Sequence, residues 1–150
     1  MKAVFILWTG ALAVLVGGPP NQGSAPLKPE RLAIAETTFQ AVVKEKCRRF
    51  PCLLAFDGAP IPKPLEAVLS SLGKAKSIVK GDVATIEGVL RPKRTDASRI
   101  FNLTGIEIKD DRAQAVVDDL TGGAGRCVYS LRKTVGAWTL VKEETRCTLS

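Results

Sequence analysis

The fold is decided by residues 105–141, which read GIEIKDDRAQAVVDDLTGGAGRCVYSLRKTVGAWTLV. Apolar side chains recur there at every second position, as in Cys127, Tyr129 and Leu131, which is the period of a strand with one buried face. The apolar runs are separated by short segments rich in Asp and Gly, and Val135-Gly136 fits a two-residue hairpin turn. Strands joined by such short connections predict an antiparallel meander.

Two helices are predicted on the N-terminal side of this meander. Pro29-Glu30 opens the first, because Pro is tolerated in the first turn, and the helix should end around Lys46 to Arg49, before Pro51. Leu65 to Leu72 predicts a second, shorter helix, with Gly73 just past its end. Because helices precede strands, we expect a single α+β domain over residues 26–150, with the helices on one face of an antiparallel sheet.

Two further strands are predicted between the helices and the meander. Leu53 to Phe56 is a short apolar run that ends at the turn pair Asp57-Gly58. Val83 to Leu90 predicts one continuous strand, and the polar segment Arg91 to Ser98 predicts a loop.

The first 25 residues have the layout of a secretory signal peptide. One charge in Met1-Lys2 is followed by an uncharged, mostly apolar run from Ala3 to Val16, and then by small residues, Gly and Pro. We expect cleavage between about residues 18 and 25. The rival interpretation is an uncleaved anchor, but a bilayer core needs about 20 apolar residues. The sequence therefore predicts an exported protein, periplasmic or extracellular, with no stable membrane span after cleavage.

The four cysteines predict disulfides, because an even count after a signal peptide indicates an oxidising compartment. A zinc set is disfavoured, because the chain has no Cys-x-x-Cys pair and no His. The favoured pairing joins Cys47 to Cys52 and Cys127 to Cys147. A regular ladder from the hairpin would leave Cys147 three residues beyond the position opposite Cys127. That pairing therefore needs an irregularity such as a bulge, which we expect within Lys142 to Arg146, where the apolar alternation breaks. Cross-pairing of the two sets is the alternative.

The net charge of +7 comes from 22 basic and 15 acidic residues. It becomes +6 once Lys2 is removed with the signal peptide. This surplus fits either a solvated surface or attraction to an anionic partner such as phospholipid, acidic glycan or nucleic acid. Nucleic acid is disfavoured, because one Tyr and two Trp provide few stacking surfaces. The basic residues form three groups: Lys44, Lys46, Arg48 and Arg49; Lys74, Lys76 and Lys80; and Arg91, Lys93, Arg94 and Arg99.

No motif assigns a catalytic, cofactor-binding or metal-binding residue. The carboxylates occur as adjacent pairs, and adjacent residues of a strand point to opposite faces, so they do not converge as acid–base chemistry requires. Ser70-Ser71 near Lys74 is better interpreted as polar helix-end positions than as a dyad. Gly122 to Gly125 lacks the Lys-Ser/Thr of a phosphate loop. The pairs are Asp110-Asp111, Asp118-Asp119 and Glu143-Glu144.

Four aromatic residues could either line a pocket between helix and sheet or form the core. A pocket would suit a small apolar ligand, whereas buried aromatic residues are more often core. They are Phe39, Phe56, Tyr129 and Trp138.

The chain from about Glu30 to Ser150 resembles the nuclear-transport-factor-two-like, or cystatin-like, superfamily. The run ending in Gly-x-Trp-x-Leu-Val is similar to the closing hairpin of that fold. The resemblance implies a cone: an N-terminal helix lying in a curved antiparallel sheet. It rests on four segments in order, Gly105–Ile108, Asp111–Val117, Tyr129–Lys133 and Gly136–Val141; Cys52–Gly58 with Pro64–Leu69 also resembles uncharacterised exported bacterial proteins.

Three functions remain open on this basis, because one fold serves many activities. The first is a non-catalytic exported domain that binds a ligand or partner. The second is an isomerase, dehydratase or hydrolase with a carboxylate base in the cone, although enzymes of the superfamily often pair that carboxylate with His or Tyr, and this chain has only Tyr129. The third is a basic adhesion module for an anionic surface polymer, which needs the basic groups to converge.

Overall fold

The structure is a computed structural model that describes residues 28–79, 83–86, 89–92, 99–121 and 125–149. The expected signal peptide, the segment 93–98 and most of the Gly122–Gly125 run lie outside these residues.

The described chain forms two α-helices, ten strands and one 3-10 turn. The order is α1 Pro29–Lys46, β1 Cys52–Phe56, β2 Ala59–Pro60, α2 Lys63–Ser70, β3 Ala75–Ser77, β4 Val83–Ile86, β5 Val89–Pro92, β6 Arg99–Lys109, β7 Arg112–Asp119, β8 Gly125–Thr134, β9 Ala137–Leu140, the 3-10 turn Lys142–Glu144, and β10 Arg146–Leu149.

Helix α1 begins at the predicted residue, with Pro29 in its first turn, and ends at Lys46. Its buried residues recur at helical spacing and pack against the sheet, where α1 contacts β6, β7 and β9. The one buried hydroxyl among them, on Thr38, donates to the Ile34 carbonyl oxygen at 2.8 Å. The prediction of an α+β fold with the helices against a curved sheet is confirmed.

The sheet is mixed rather than wholly antiparallel, which corrects the expectation for β1. The strand order is β10-β8-β7-β6-β1-β2, with β3 also on β1 and β9 also on β8. Strands β6 to β10 form the predicted antiparallel meander, but β1 runs parallel to both β3 and β6. After α2 the chain re-enters the sheet as β3 on one edge of β1 and later as β6 on the other edge, each time in the direction of β1, so both of these strands are parallel to β1.

The prediction of one strand over Val83 to Leu90 is wrong. The segment forms the antiparallel hairpin of β4 and β5, in which Ile86 lies opposite Val89, and Arg91 belongs to β5 rather than to a loop.

Strand β6 carries the irregularity that curves the sheet. Leu103 lies opposite Val117 and Gly105 opposite Val116, so Thr104 is an extra residue in the ladder with β7. A bulge of this kind bends its strand and increases the local twist. The α1 face of the bent sheet then encloses the main core, which includes Phe39, Phe56 and Trp138.

The structure joins Cys47 to Cys52 and Cys127 to Cys147. In the second pair the required irregularity is the 3-10 turn. Leu140 lies opposite Leu131 and Arg146 opposite Val128, so six residues of the returning chain span three residues of β8. The three residues of the turn account for the difference, and Cys147 then lies directly opposite Cys127.

Within the described residues, no helix has both the length and the apolar character needed to cross a membrane.

Candidate functional site

The short ring closed by Cys47 and Cys52 joins three elements at one end of the sheet. The Cys47 N–H donates to the Val43 carbonyl and ends α1. The Cys47 carbonyl then accepts from Lys74 at 3.2 Å, which attaches the chain entering β3. The Pro51 carbonyl accepts from Arg99 at 3.1 Å, which attaches the start of β6. The ring therefore brings α1, β3 and β6 together, although their residues are far apart in sequence.

A shallow basic groove of about 410 Å³ lies on this ring. Arg48 and Arg49 are exposed within the ring, and Phe50 beside them is 55% exposed. Cations are favoured here, because the C-terminal end of a helix carries a partial negative charge. We call this surface the basic groove; its lining residues are Glu45, Lys46, Arg48, Arg49, Phe50 and Arg99.

A narrower, mainly apolar cleft of about 90 Å³ adjoins the groove. It lies where β6 begins, β7 ends and β8 begins, and the Cys127–Cys147 disulfide forms part of its wall. Its buried lining includes Phe101, Val117 and Tyr129. We call this space the apolar cleft; its other lining residues are Lys46, Arg99, Asp119, Gly125, Cys127, Cys147 and Thr148.

Lys46 and Arg99 line both the basic groove and the apolar cleft. The two spaces are therefore neighbouring parts of one site, with an apolar floor and two cations at the boundary. A ligand that carries both a negative charge and a small apolar group matches this arrangement.

Arg99 is held in place by its neighbours. Its guanidinium forms an ion pair with Asp119 and lies 4.9 Å from the centre of the Phe101 ring, within the range of a cation–π contact. Asp119 also accepts hydrogen bonds from the backbone N–H and the hydroxyl of Thr121. The bond to Asp119 uses one of the five N–H donors of the guanidinium, so Arg99 keeps the capacity to bind a further anion.

Tyr129 lies at the floor of the cleft and is 1% exposed. Burial raises the pKa of its phenol to about 12, and the negative charge of Glu45 adds to the rise. The phenol is therefore neutral at physiological pH. It can offer a hydrogen bond there, but it is a poor proton acceptor.

Asp119 and Asp57 lie at opposite ends of the sheet and do not converge on one site. Asp119 is the carboxylate on the cleft wall, and it is held in an ion pair with Arg99. Burial raises the pKa of Asp57, with Arg31 opposing the rise, but Asp57 lies in the β1–β2 turn at the far end of β1 from the ring. Among the residues described, no three Cys, Asp or Glu residues form a group suited to a metal ion.

The predicted aromatic set is divided by the structure. All four residues belong to the buried core, and Tyr129 also lines the apolar cleft, whereas Phe39, Phe56 and Trp138 do not line it.

The other candidate motifs have structural roles in the described chain. Asp118 pairs with Arg126 at 2.7 Å on neighbouring strands. The Ser70 and Ser71 hydroxyls donate to backbone carbonyls at the end of α2. Asp110-Asp111 forms the β6–β7 turn, and Glu143-Glu144 lies in the 3-10 turn.

The basic groups converge in part. Lys46, Arg48 and Arg49 of the first group meet Arg99 of the third in the groove, and Lys74 of the second bonds to the ring through its backbone. Lys80, Lys93 and Arg94 lie outside the described residues.

Sequence reasoning named Asp119 only within a carboxylate pair that does not converge, and it did not single out five other members of the site: Glu45, Phe50, Phe101, Val117 and Thr148. The signal for Phe50 was its position between two arginines and Pro51 inside a disulfide ring, where little room exists to bury a large side chain. Asp119 gave no local signal, because its partner Arg99 is twenty residues away in the chain.

Comparison of this chain with protein-family models, curated proteins and solved structures finds no match.

Proposed function

We propose that this protein is an exported, non-catalytic binding domain that holds a negatively charged partner in the basic groove. The observation that carries the proposal is the convergence of Lys46, Arg48, Arg49 and Arg99 on one surface built by the Cys47–Cys52 ring. Glu45 is the one acidic residue of the lining, so the groove keeps a strong positive excess.

Burial and pairing in the site favour binding over catalysis. The Asp119 carboxylate is paired, and the Tyr129 phenol is neutral with a pKa of about 12. General acid–base catalysis works best with groups whose pKa lies near the working pH. A rigid ring with exposed guanidinium groups instead suits anion recognition, because less conformational entropy is lost when the anion binds.

Export is part of the proposal. It is supported by the layout of residues 1–25 and by two disulfides, which persist mainly in oxidising compartments. The packing of α1 against a curved sheet also supports the proposed resemblance to the cystatin-like superfamily.

Salt-dependent retention on immobilised heparin tests the proposal. The double variant Arg48→Glu/Arg49→Glu should weaken binding roughly tenfold or more, because two attractive contacts become repulsive. Retention of the unaltered protein should also fall with rising ionic strength, since exposed charges are screened.

The matched control is Arg112→Glu/Arg132→Glu. These exposed arginines lie opposite each other on β7 and β8, and the double change alters net charge by the same amount. Arg112 is at the other end of β7 from Asp119, about 23 Å away for a strand of this length. Equal losses in the two double variants would mean that only total charge matters, and the proposed site would be rejected.

A further inference from the structure

The apolar cleft restricts what the anionic partner can carry. Its floor is apolar, its volume is about 90 Å³, and its boundary with the groove is formed by Lys46 and Arg99. A group that enters the cleft therefore leaves its attached charge beside these two cations.

The volume sets the size of that group. A water molecule occupies about 30 Å³ of the liquid, and a 150 Å³ cavity is known to accept benzene. A cleft of about 90 Å³ accordingly suits three or four carbon atoms and is too small for a phenyl ring or a fatty-acyl chain.

The lining agrees with a compact, branched alkyl group. Phe101, Val117 and the Cys127–Cys147 disulfide provide apolar contacts on several sides. Asp119 is the negative group on the wall, and its ion pair with Arg99 limits its repulsion of an incoming anion. Thr148 of β10 is exposed and lines the cleft, and its hydroxyl donates to the Arg126 carbonyl.

We infer that the site selects a carboxylate attached to one branched alkyl group of three or four carbons. The alkyl group occupies the apolar cleft, and the carboxylate binds between Lys46 and Arg99. The inference rests on the proposed function, since the basic groove supplies the charge. The same chemistry is found in a free short branched-chain acid and in the C-terminal leucine or valine of a polypeptide.

NMR titration with small probes tests the inference. Isovalerate should bind roughly tenfold more tightly than acetate, because it buries its alkyl group, and N-acetyl-leucine should bind more tightly than N-acetyl-leucinamide, which lacks the charge. Equal affinities for isovalerate and N-acetyl-leucine would indicate a free acid as the source, and tighter binding of N-acetyl-leucine a chain terminus. Acetate binding as tightly as isovalerate, or the amide as tightly as the acid, would overturn the inference.

Thr148→Trp places a large ring at the cleft and should abolish the preference for isovalerate over acetate. Thr139→Trp is the matched control, because Thr139 is also exposed, on β9, and its hydroxyl likewise donates to a β8 carbonyl, that of Arg132. The inference fails if both variants keep the preference.

A second readout needs no variant. Tyr129 is the only tyrosine of the sequence, so its ring protons give unique signals. Magnetisation transfer from the isovalerate methyl groups to the Tyr129 ring should be observed, and its absence at saturating isovalerate would contradict the inference. If the unaltered protein is retained on heparin but does not prefer isovalerate over acetate, this inference alone is rejected. If the unaltered protein is not retained on heparin, the proposed function is rejected.

Discussion

At the scale of a single residue, the pKa of the Tyr129 phenol depends on how well the apolar cleft excludes water. Its absorbance titration should give a pKa of about 12 in the folded protein, because burial disfavours the phenolate. The unfolded phenol ionises near 10, so the folded state holds the proton to higher pH and stability falls as pH rises between these values. From pH 9 to 11 the unaltered protein should lose about 1.4 kcal/mol more stability than Tyr129→Phe.

Denaturant unfolding of the two proteins at pH 9, 10 and 11 measures this difference. Parallel losses in both proteins would show that Tyr129 is solvated and that the cleft floor is not closed as described.

Val135 is the residue with the clearest local strain. It occupies the first position of the β8–β9 turn with φ of 50°, a region that β-branched residues disfavour, and it is fully exposed. Val135→Asn should raise the free energy of unfolding by about 1 kcal/mol, because Asn-Gly suits this turn and no packing is lost. Val135→Thr keeps the β-branch and removes the apolar character, so it should leave thermal stability unchanged; a gain equal to that of Asn would refute the explanation by strain.

The Cys47–Cys52 ring is the element that builds the site, and removing it should affect binding and stability together. Cys47→Ala/Cys52→Ala should cost about 2 kcal/mol in the chain-entropy description and should lower heparin affinity, because Arg48 and Arg49 lose their fixed positions. The Cys127–Cys147 disulfide closes a longer loop, so the variant Cys127→Ala/Cys147→Ala should lose about 3 kcal/mol of folding stability. It should nevertheless retain heparin binding, and loss of binding in both variants would argue against a special role of the ring.

Most elements formed by neighbouring residues were predictable, with the β4–β5 hairpin as the exception, whereas the parallel pairing of distant strands was not. Pro29 and Val135-Gly136 carry local signals for a helix start and a hairpin, and both lie where expected. An irregularity was expected within Lys142 to Arg146 because the apolar alternation breaks there, and the 3-10 turn Lys142–Glu144 lies in that stretch, although its form as a 3-10 turn carried no local signal. The parallel pairing of Cys52 with Arg99 depends on a long crossover that no local pattern encodes.

The candidate site followed the same division. The sequence favoured the observed cysteine pairing over cross-pairing, identified the basic groups and made Tyr129 one of four pocket candidates. It could not show that Lys46 and Arg99 border one cleft, because that contact arises only after the ring holds β6 beside the end of α1. Phe39, Phe56 and Trp138 were equally plausible as pocket residues, since burial in a core and lining of a pocket leave the same apolar pattern.

At the scale of the whole molecule, the proposed anion binding is confined to one end of the sheet. The groove and the cleft lie where α1 ends and β6 begins, whereas the β6–β7 and β8–β9 turns lie at the other end. A basic protein that bound anions only through its net charge of +7 would show no such preference.

Backbone amide shifts during titration with a heparin tetrasaccharide at low salt would show where on the molecule the anion binds. We expect the largest changes at the groove residues and little change at the β8–β9 turn, with smaller changes along the adjoining starts of β3 and β8. The groove residues concerned are Lys46, Arg48, Arg49, Phe50 and Arg99. Changes of similar size at every exposed Lys and Arg, or a maximum around Arg112 and Arg132, would contradict binding in the basic groove.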